Sequence, residues 1–125
     1  MILSDIQTKL RATGAVTTLV KSESIYIGQP AQTASYPYIA INKISGVVNN
    51  NDSKAKRDRI QFTCWGNTLI NADAIVTEVR NVFYRFTGTI GLTNIGNVQI
   101  DNINYMYDST TGKHIFIMDA FFQYV

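Results

Sequence analysis

Between residues 36 and 86 the hydrophobic pattern runs strand, polar gap, strand, helix, and the rest of the chain is arranged around that succession. In Tyr38-Ile39-Ala40-Ile41-Asn42-Lys43-Ile44 the positions are nearly all apolar at first and then alternate. That is the pattern of a strand covered on both faces near its start. The strand spans 36–48, and Pro37 opens it where a missing N–H does least harm. Residues 49–55 are the most polar stretch, and their asparagines favour turns. A second strand is expected over 56–66, with Ile60, Phe62 and Cys64 alternating onto one face. Gly66 and Asn67 end it, and Thr68 is placed to cap a helix. Over 68–86, Leu69, Ala72, Ile75 or Val76, Val79, Val82 or Phe83, and Phe86 recur at helical spacing. Asn71, Asp73, Glu78, Arg80, Asn81 and Arg85 occupy the other sides, and Gly88 is the stop. So wide a stripe predicts a helix lying flat on a sheet.

The flanking segments complete or cover that sheet. Ser4 followed by Gln7 reads as a capping box, with Ile6, Leu10 and Leu3 on one face and Gly14 as the stop. Residues 15–20 have the pattern of a second short helical turn, and 24–28 that of a short strand. Residues 29–36, with Pro30, read as a loop. So do 89–97, which contain Gly91, Gly96 and two asparagines. A strand is expected over 98–107, with Ile103, Tyr105 and Tyr107 on one face and Ile100 and Met106 on the other. After a turn at 108–113, a strand over 114–124 returns, forming a long antiparallel hairpin. The fold class is therefore α+β: an antiparallel β-sheet with a long helix and a short N-terminal helix packed on one face, and a C-terminal β-hairpin. Phe116, Phe121, Phe122 and Tyr124, with Tyr105 and Tyr107, are more aromatic residues than one helix-covered face requires. They fit either an ordinary sheet with exposed aromatics or, the favoured reading, a sheet whose far face meets a neighbouring subunit.

The totals add three constraints. At 125 residues the chain suits one domain, 1–125, with one core. Only 16% of residues are charged, against a usual ~25%, and Asn, Thr, Ser and Gln supply the polarity instead. Such a surface repels copies of itself weakly, which suits a life in an assembly. A net charge of +2 is too small to argue for nucleic acid by itself. The N-terminus lacks a signal-peptide pattern and no apolar stretch approaches the ~20 residues of a membrane span, so no membrane partner is expected and synthesis in the cytosol is.

No catalytic or cofactor constellation is visible. The single histidine, His114, sits at a strand start beside a turn, and the single cysteine, Cys64, alternates with core positions. One of each makes no zinc set, and no disulfide can form within the chain. Gly88, Gly91 and Gly96 do not join a strand to a helix start, so they are no phosphate loop. Asp119, mid-strand, has three open destinations: solvent, a neighbour, or Lys and Arg on the adjacent strand. The one charged cluster is Lys54, Lys56, Arg57 and Arg59. It reads either as a solvated loop or as an arm touching another protein or nucleic-acid phosphates, the latter contact being non-specific and salt-sensitive. No aromatic platform of the single-strand-binding kind interleaves it.

Four stretches follow one another along the chain: Tyr36-Pro37-Tyr38-Ile39, Arg59-Ile60-Gln61-Phe62-Thr63-Cys64-Trp65-Gly66, Ala72-Asp73-Ala74-Ile75-Val76-Thr77-Glu78-Val79-Arg80, and the turn Tyr107-Asp108-Ser109-Thr110-Thr111-Gly112. In their order and spacing they resemble the tail completion, or tail terminator, proteins of long-tailed bacteriophages. The resemblance spans nearly the whole chain. The chain departs from the pattern at Tyr36, where an aliphatic residue is usual, and in its Asn-rich stretch 49–53. The resemblance implies a virion protein of the tail and neck without enzymatic activity and without cofactors. It implies a homo-hexameric ring at the head-proximal end of the tail tube. That ring would stop tube polymerisation, join the tail to the head connector, and contact the tube protein and the neck proteins. Lys54, Lys56, Arg57 and Arg59 would then face the next subunit or the lumen, where genomic DNA passes. Two other readings stand beside it: another neck protein, such as a head-completion or connector adaptor, and a small nucleic-acid-binding domain using residues 54–59.

Overall fold

The computed structural model describes residues 2–30, 34–48 and 56–125. Helix α1 (Ile2–Arg11), the single turn α2 (Gly14–Thr17) and a 3-10 turn (Ser22–Ser24) lead into β1 (Ile25–Ile27). Strands β2 (Tyr38–Val48) and β3 (Lys56–Gly66) precede α3 (Leu69–Phe83), and β4 (Gly88–Ile90), β5 (Thr93–Asp108) and β6 (Lys113–Tyr124) complete the chain. The six strands form one sheet in the order β1-β2-β3-β6-β5-β4, curled into a half-barrel. The α+β class is as expected, but the sheet is mixed rather than antiparallel. β1 runs parallel to β2, with Ile25 opposite Ile39, because α1 and α2 pack between the chain start and that edge.

Two further departures from the sequence pattern have local causes. The expected loop over 89–97 contains β4 and the first residues of β5, paired from Gly88 opposite Ile95 to Ile90 opposite Thr93. Gly91, at φ +60, makes their tight turn, and a Cβ there would meet Asp5 Oδ1 at 2.7 Å. Asp5 is bonded by the Thr93 hydroxyl, which fastens α1 to the hairpin. At the N-terminus α1 already begins at Ile2, so Ser4 lies inside the helix rather than at its N-cap position. Gln7 reaches across to the sheet. Its side-chain N–H and that of Arg11 donate to the Ile25 carbonyl at 2.7 and 3.0 Å, docking α1 on β1.

The capping signal at Thr68 is correct: its hydroxyl accepts from the Asn71 N–H at 3.0 Å. Helix α3 stops at Phe83, and Tyr84 leaves helical geometry, so Phe86 reaches the core from the following turn rather than from the helix. The buried stripe is Ala72, Ile75, Val76, Val79 and Phe83, and Leu69 falls outside it, half exposed. The register β3–β6–β5 places six rungs on the face the helices cover. In chain order along β3 these are Lys56–Tyr124–Ile95, Asp58–Phe122–Val98, Ile60–Ala120–Ile100, Phe62–Met118–Ile103, Cys64–Phe116–Tyr105 and Gly66–His114–Tyr107. Phe62, Phe83 and Phe122, all fully buried, form the centre with ring centroids 5.2–6.2 Å apart. Truncating any of them to alanine removes burial worth about 3–5 kcal/mol.

Register breaks in β5 after Ile95 and after Ile100 each insert a residue. A bulge reverses which face the following residues occupy and adds local twist. Ile100 therefore shares the face of Ile103, Tyr105 and Tyr107 instead of opposing it. With a further break in β2 between Lys43 and Ser45, these bulges account for the curl.

Candidate assembly interface

The outer face of the sheet, away from the helices, is where two of the four clustered basic residues sit. Alternation along β3 sends Arg57, Arg59, Gln61, Thr63 and Trp65 outward and Lys56 and Asp58 to the other side. Arg57 lies flat over the Phe121 ring, 4.1 Å from its centroid. Arg59 donates to Asp119 Oδ2 at 2.9 Å, and Gln61 donates to Asp119 Oδ1 at 3.2 Å. The hydrogen bond to Asp119, and then its charge, raise the Arg59 pKa further. Asp119 is 5% exposed, so of its three destinations the structure takes the adjacent-strand arginine. A carboxylate this dry is retained because an arginine and an amide both serve it.

Lys56 is exposed and points the other way. It lines a groove of about 480 Å³ with Ile2, Leu3, Lys43, Leu92, Tyr124 and Val125. Beside it Asp58, 2% exposed, accepts from the Tyr124 hydroxyl at 2.5 Å and pairs with Lys43 at 3.5 Å. Burial, then the bond to Asp58 and its charge, hold the Tyr124 hydroxyl protonated well above the ordinary tyrosine range. Lys54 and the Asn-rich stretch lie outside the described residues. Among the described residues of the cluster, two arginines are pinned outside and one lysine faces the groove.

Of the aromatics assigned to a far face, Phe122 is in the core and Phe116 and Tyr124 are partly buried against it. Only Phe121 lies outside. Tyr105 and Tyr107 are on the helix side of the sheet, but beyond the reach of the helices. The far half of the β5–β6 hairpin leaves Ile103, Tyr105 and Tyr107 on that side, and Met106 on the outer face, 38–55% exposed. Tyr105 is held by a 2.7 Å hydrogen bond between its hydroxyl and His114 Nδ1, and its ring packs on Phe116 at 5.2 Å. Tyr107 rests on His114 at 5.1 Å. These contacts fix large apolar side chains in place without covering them, the condition of a surface awaiting a partner.

At the same end of the outer face Tyr26, Tyr36, Tyr38 and Trp65 form an aromatic cluster, with Tyr38 and Trp65 stacked at 5.6 Å. Lys113 caps it over Tyr36 and donates to Asn67 at 2.9 Å. Burial first, then the neighbouring Tyr36, Tyr26 and Asp108, push the Tyr38 hydroxyl up to about 12. Burial alone pushes the Cys64 thiol up and makes it unreactive. The two most exposed large apolar side chains escape the sequence reading altogether. Leu92 stands fully exposed at the β4–β5 turn, and Ile70 is 83% exposed at the start of α3. Ile70 was detectable, since it lies off the helical stripe. Among the described residues no group of His, Cys, Asp and Glu is arranged to hold a metal ion.

A family model described as tail completion protein gp17 matches residues 4–118. The chain belongs to that family. Membership gives it a structural role in tail completion of phage-type virions. No curated protein matches the chain significantly. The fold is similar to that of a chain in the solved structure of the virion of a native gene transfer agent (GTA) particle. That likeness has a TM-score of 0.78 over 95% of this chain and 90% of the other, at 10% identity. At that identity it is a likeness of fold.

Proposed function

We propose that the chain, acting as a single domain, assembles into a homo-hexameric ring at the head-proximal end of a phage tail tube. There it stops tube polymerisation and offers the surface to which the head connector docks. The observation that carries this reading, beside family membership, is the exposed end of the β5–β6 hairpin, where Ile103, Tyr105, Met106 and Tyr107 stand uncovered and Tyr105 and Tyr107 are held against His114 and Phe116. A ring requires a heterologous contact that closes on itself, and a rigid apolar projection at one end of a curled sheet supplies one half of such a contact. The partners are further copies of the chain, the tail tube protein and the neck proteins. Its place is the tail–neck region of the virion, reached after assembly in the host cytoplasm.

The role is structural rather than enzymatic: it is discharged by binding alone. Lys56, with Lys54 two positions before it in the sequence, is assigned to the next subunit or to DNA in the lumen. Arg57 and Arg59 serve the sheet, given their engagement with Phe121 and Asp119. The test is to add purified protein to growing tail tubes and image the ends. Capped tubes of fixed length with a six-fold end ring support the proposal, and tubes that elongate as before overturn it. For the basic residues, Lys54→Glu with Lys56→Glu should weaken ring formation or DNA passage. Wild-type assembly and infectivity in that variant would remove their role.

A further inference from the structure

The two ends of the sheet are open over long stretches. β1 pairs only with Ile39, Ala40 and Ile41 of β2, so residues 42–48 have no described strand on that side. β4 pairs only with Thr93, Asn94 and Ile95 of β5, so among the described residues 97–108 pair with no strand on the side away from β6, and 101–108 lie beyond the groove that Tyr84 and Arg85 form with 97–100. Each open stretch presents unpaired backbone donors and acceptors, and only another strand satisfies such a row. Proteins that stay monomeric blunt long edges with lysine, proline or short strands. Residues 97–108 contain neither lysine nor proline and include the exposed Ile103, Tyr105, Met106 and Tyr107.

We infer that the open edge of β5 pairs with the open edge of β2 of the next copy, so that one sheet continues from subunit to subunit. Two observations favour a second copy as the occupant. The edges lie at opposite ends of one sheet, as a head-to-tail contact demands. Their polarity fits: β2–β3, β3–β6 and β6–β5 are each antiparallel, so β5 runs opposite to β2, and an unrotated neighbour meets it antiparallel. The inference rests on the ring reading above and names the seam of that ring.

The test uses cysteine pairs. Ser45, Asn102 and Asn104 are exposed and project from the outer face, opposite Arg59, Asp119 and Ile117 within the subunit. Across a seam, facing residues come within about 5 Å at Cβ. Chains carrying Ser45→Cys with Asn102→Cys, and Ser45→Cys with Asn104→Cys, are treated with a short bifunctional thiol reagent; Cys64 is buried and stays silent. The expected result is a covalent ladder up to the ring size when both cysteines share a chain, and dimers only when single variants are mixed. In the unaltered protein, hydrogen exchange of the amides in 97–108 should slow at least tenfold on assembly. Rings seen by native mass spectrometry without cross-links, and without that slowing, overturn the seam and leave the ring reading standing. Cross-links to the tube subunit instead overturn it in favour of a tube strand. Absence of any ring, alone or on tubes, removes both.

Discussion

At Gly66 strand β3 and helix α3 approach closely. A Cβ there would meet the Ala72 backbone nitrogen at 2.5 Å, and backbone cannot swing aside as a side-chain tip can. Gly66→Ala should therefore destabilise by about 1–3 kcal/mol, the usual range for overpacking, measured as a lower denaturant midpoint with unchanged slope. Asp119 makes the converse point, since its value depends on having both partners. Asp119→Ala leaves the buried guanidinium nitrogen Nε of Arg59, already without a partner, beside a lost carboxylate. The melting temperature should fall further than in Gln61→Ala. Tyr38 gives a pH dependence with a definite sign. Its folded pKa of about 12 lies above the ordinary value of 10.0, so the folded state holds a proton that the unfolded chain releases first. Its contribution is complete below pH 10 and lost as pH rises through about 12. Tyr38→Phe should flatten that alkaline decline in a pH series of thermal melts, and an unchanged slope would count against it.

At the scale of elements, what the sequence made legible was decided by whether the signal was local. The Thr68 cap, the Ile60–Phe62–Cys64 alternation and the middle of the α3 stripe, from Ala72 to Phe83, depend on neighbours in the chain and stand in the structure, while its ends at Leu69 and Phe86 do not. Thr68→Ala should cost about 1 kcal/mol through the lost bond to the Asn71 N–H, read as a shift in denaturant midpoint. The phase of β5 was not legible, because a bulge looks like an uninterrupted strand until its partner is known. Asp101 carries no mark that it is the inserted residue, yet it moves Ile100 to the other face. The strand hidden in 89–97 failed to register because its glycines read as loop, and the parallel pairing of β1 because it depends on where α1 packs. The basic residues were visible as a run, but strand alternation, not their spacing, separates Lys56 from Arg57 and Arg59. The hairpin tip was legible as aromatic excess and misplaced as to face. Tyr105→Lys with Met106→Lys should leave the melting temperature within a few degrees and abolish assembly, because these side chains are exposed in the subunit. A matching loss of both would mean the tip stabilises the subunit itself.

For the whole molecule, a low charge density, a curled six-stranded sheet with bare edges and an uncovered apolar hairpin form one consistent design. Each feature is a liability for a protein that remains alone and an asset for one that closes with its neighbours. The most direct measurement is native mass spectrometry of the unaltered protein with purified tail tubes, coupled to images of the tube ends. The proposal predicts six copies per end and tubes that no longer grow. Tubes that lengthen unchanged, with no closed ring at any protein concentration, would contradict it.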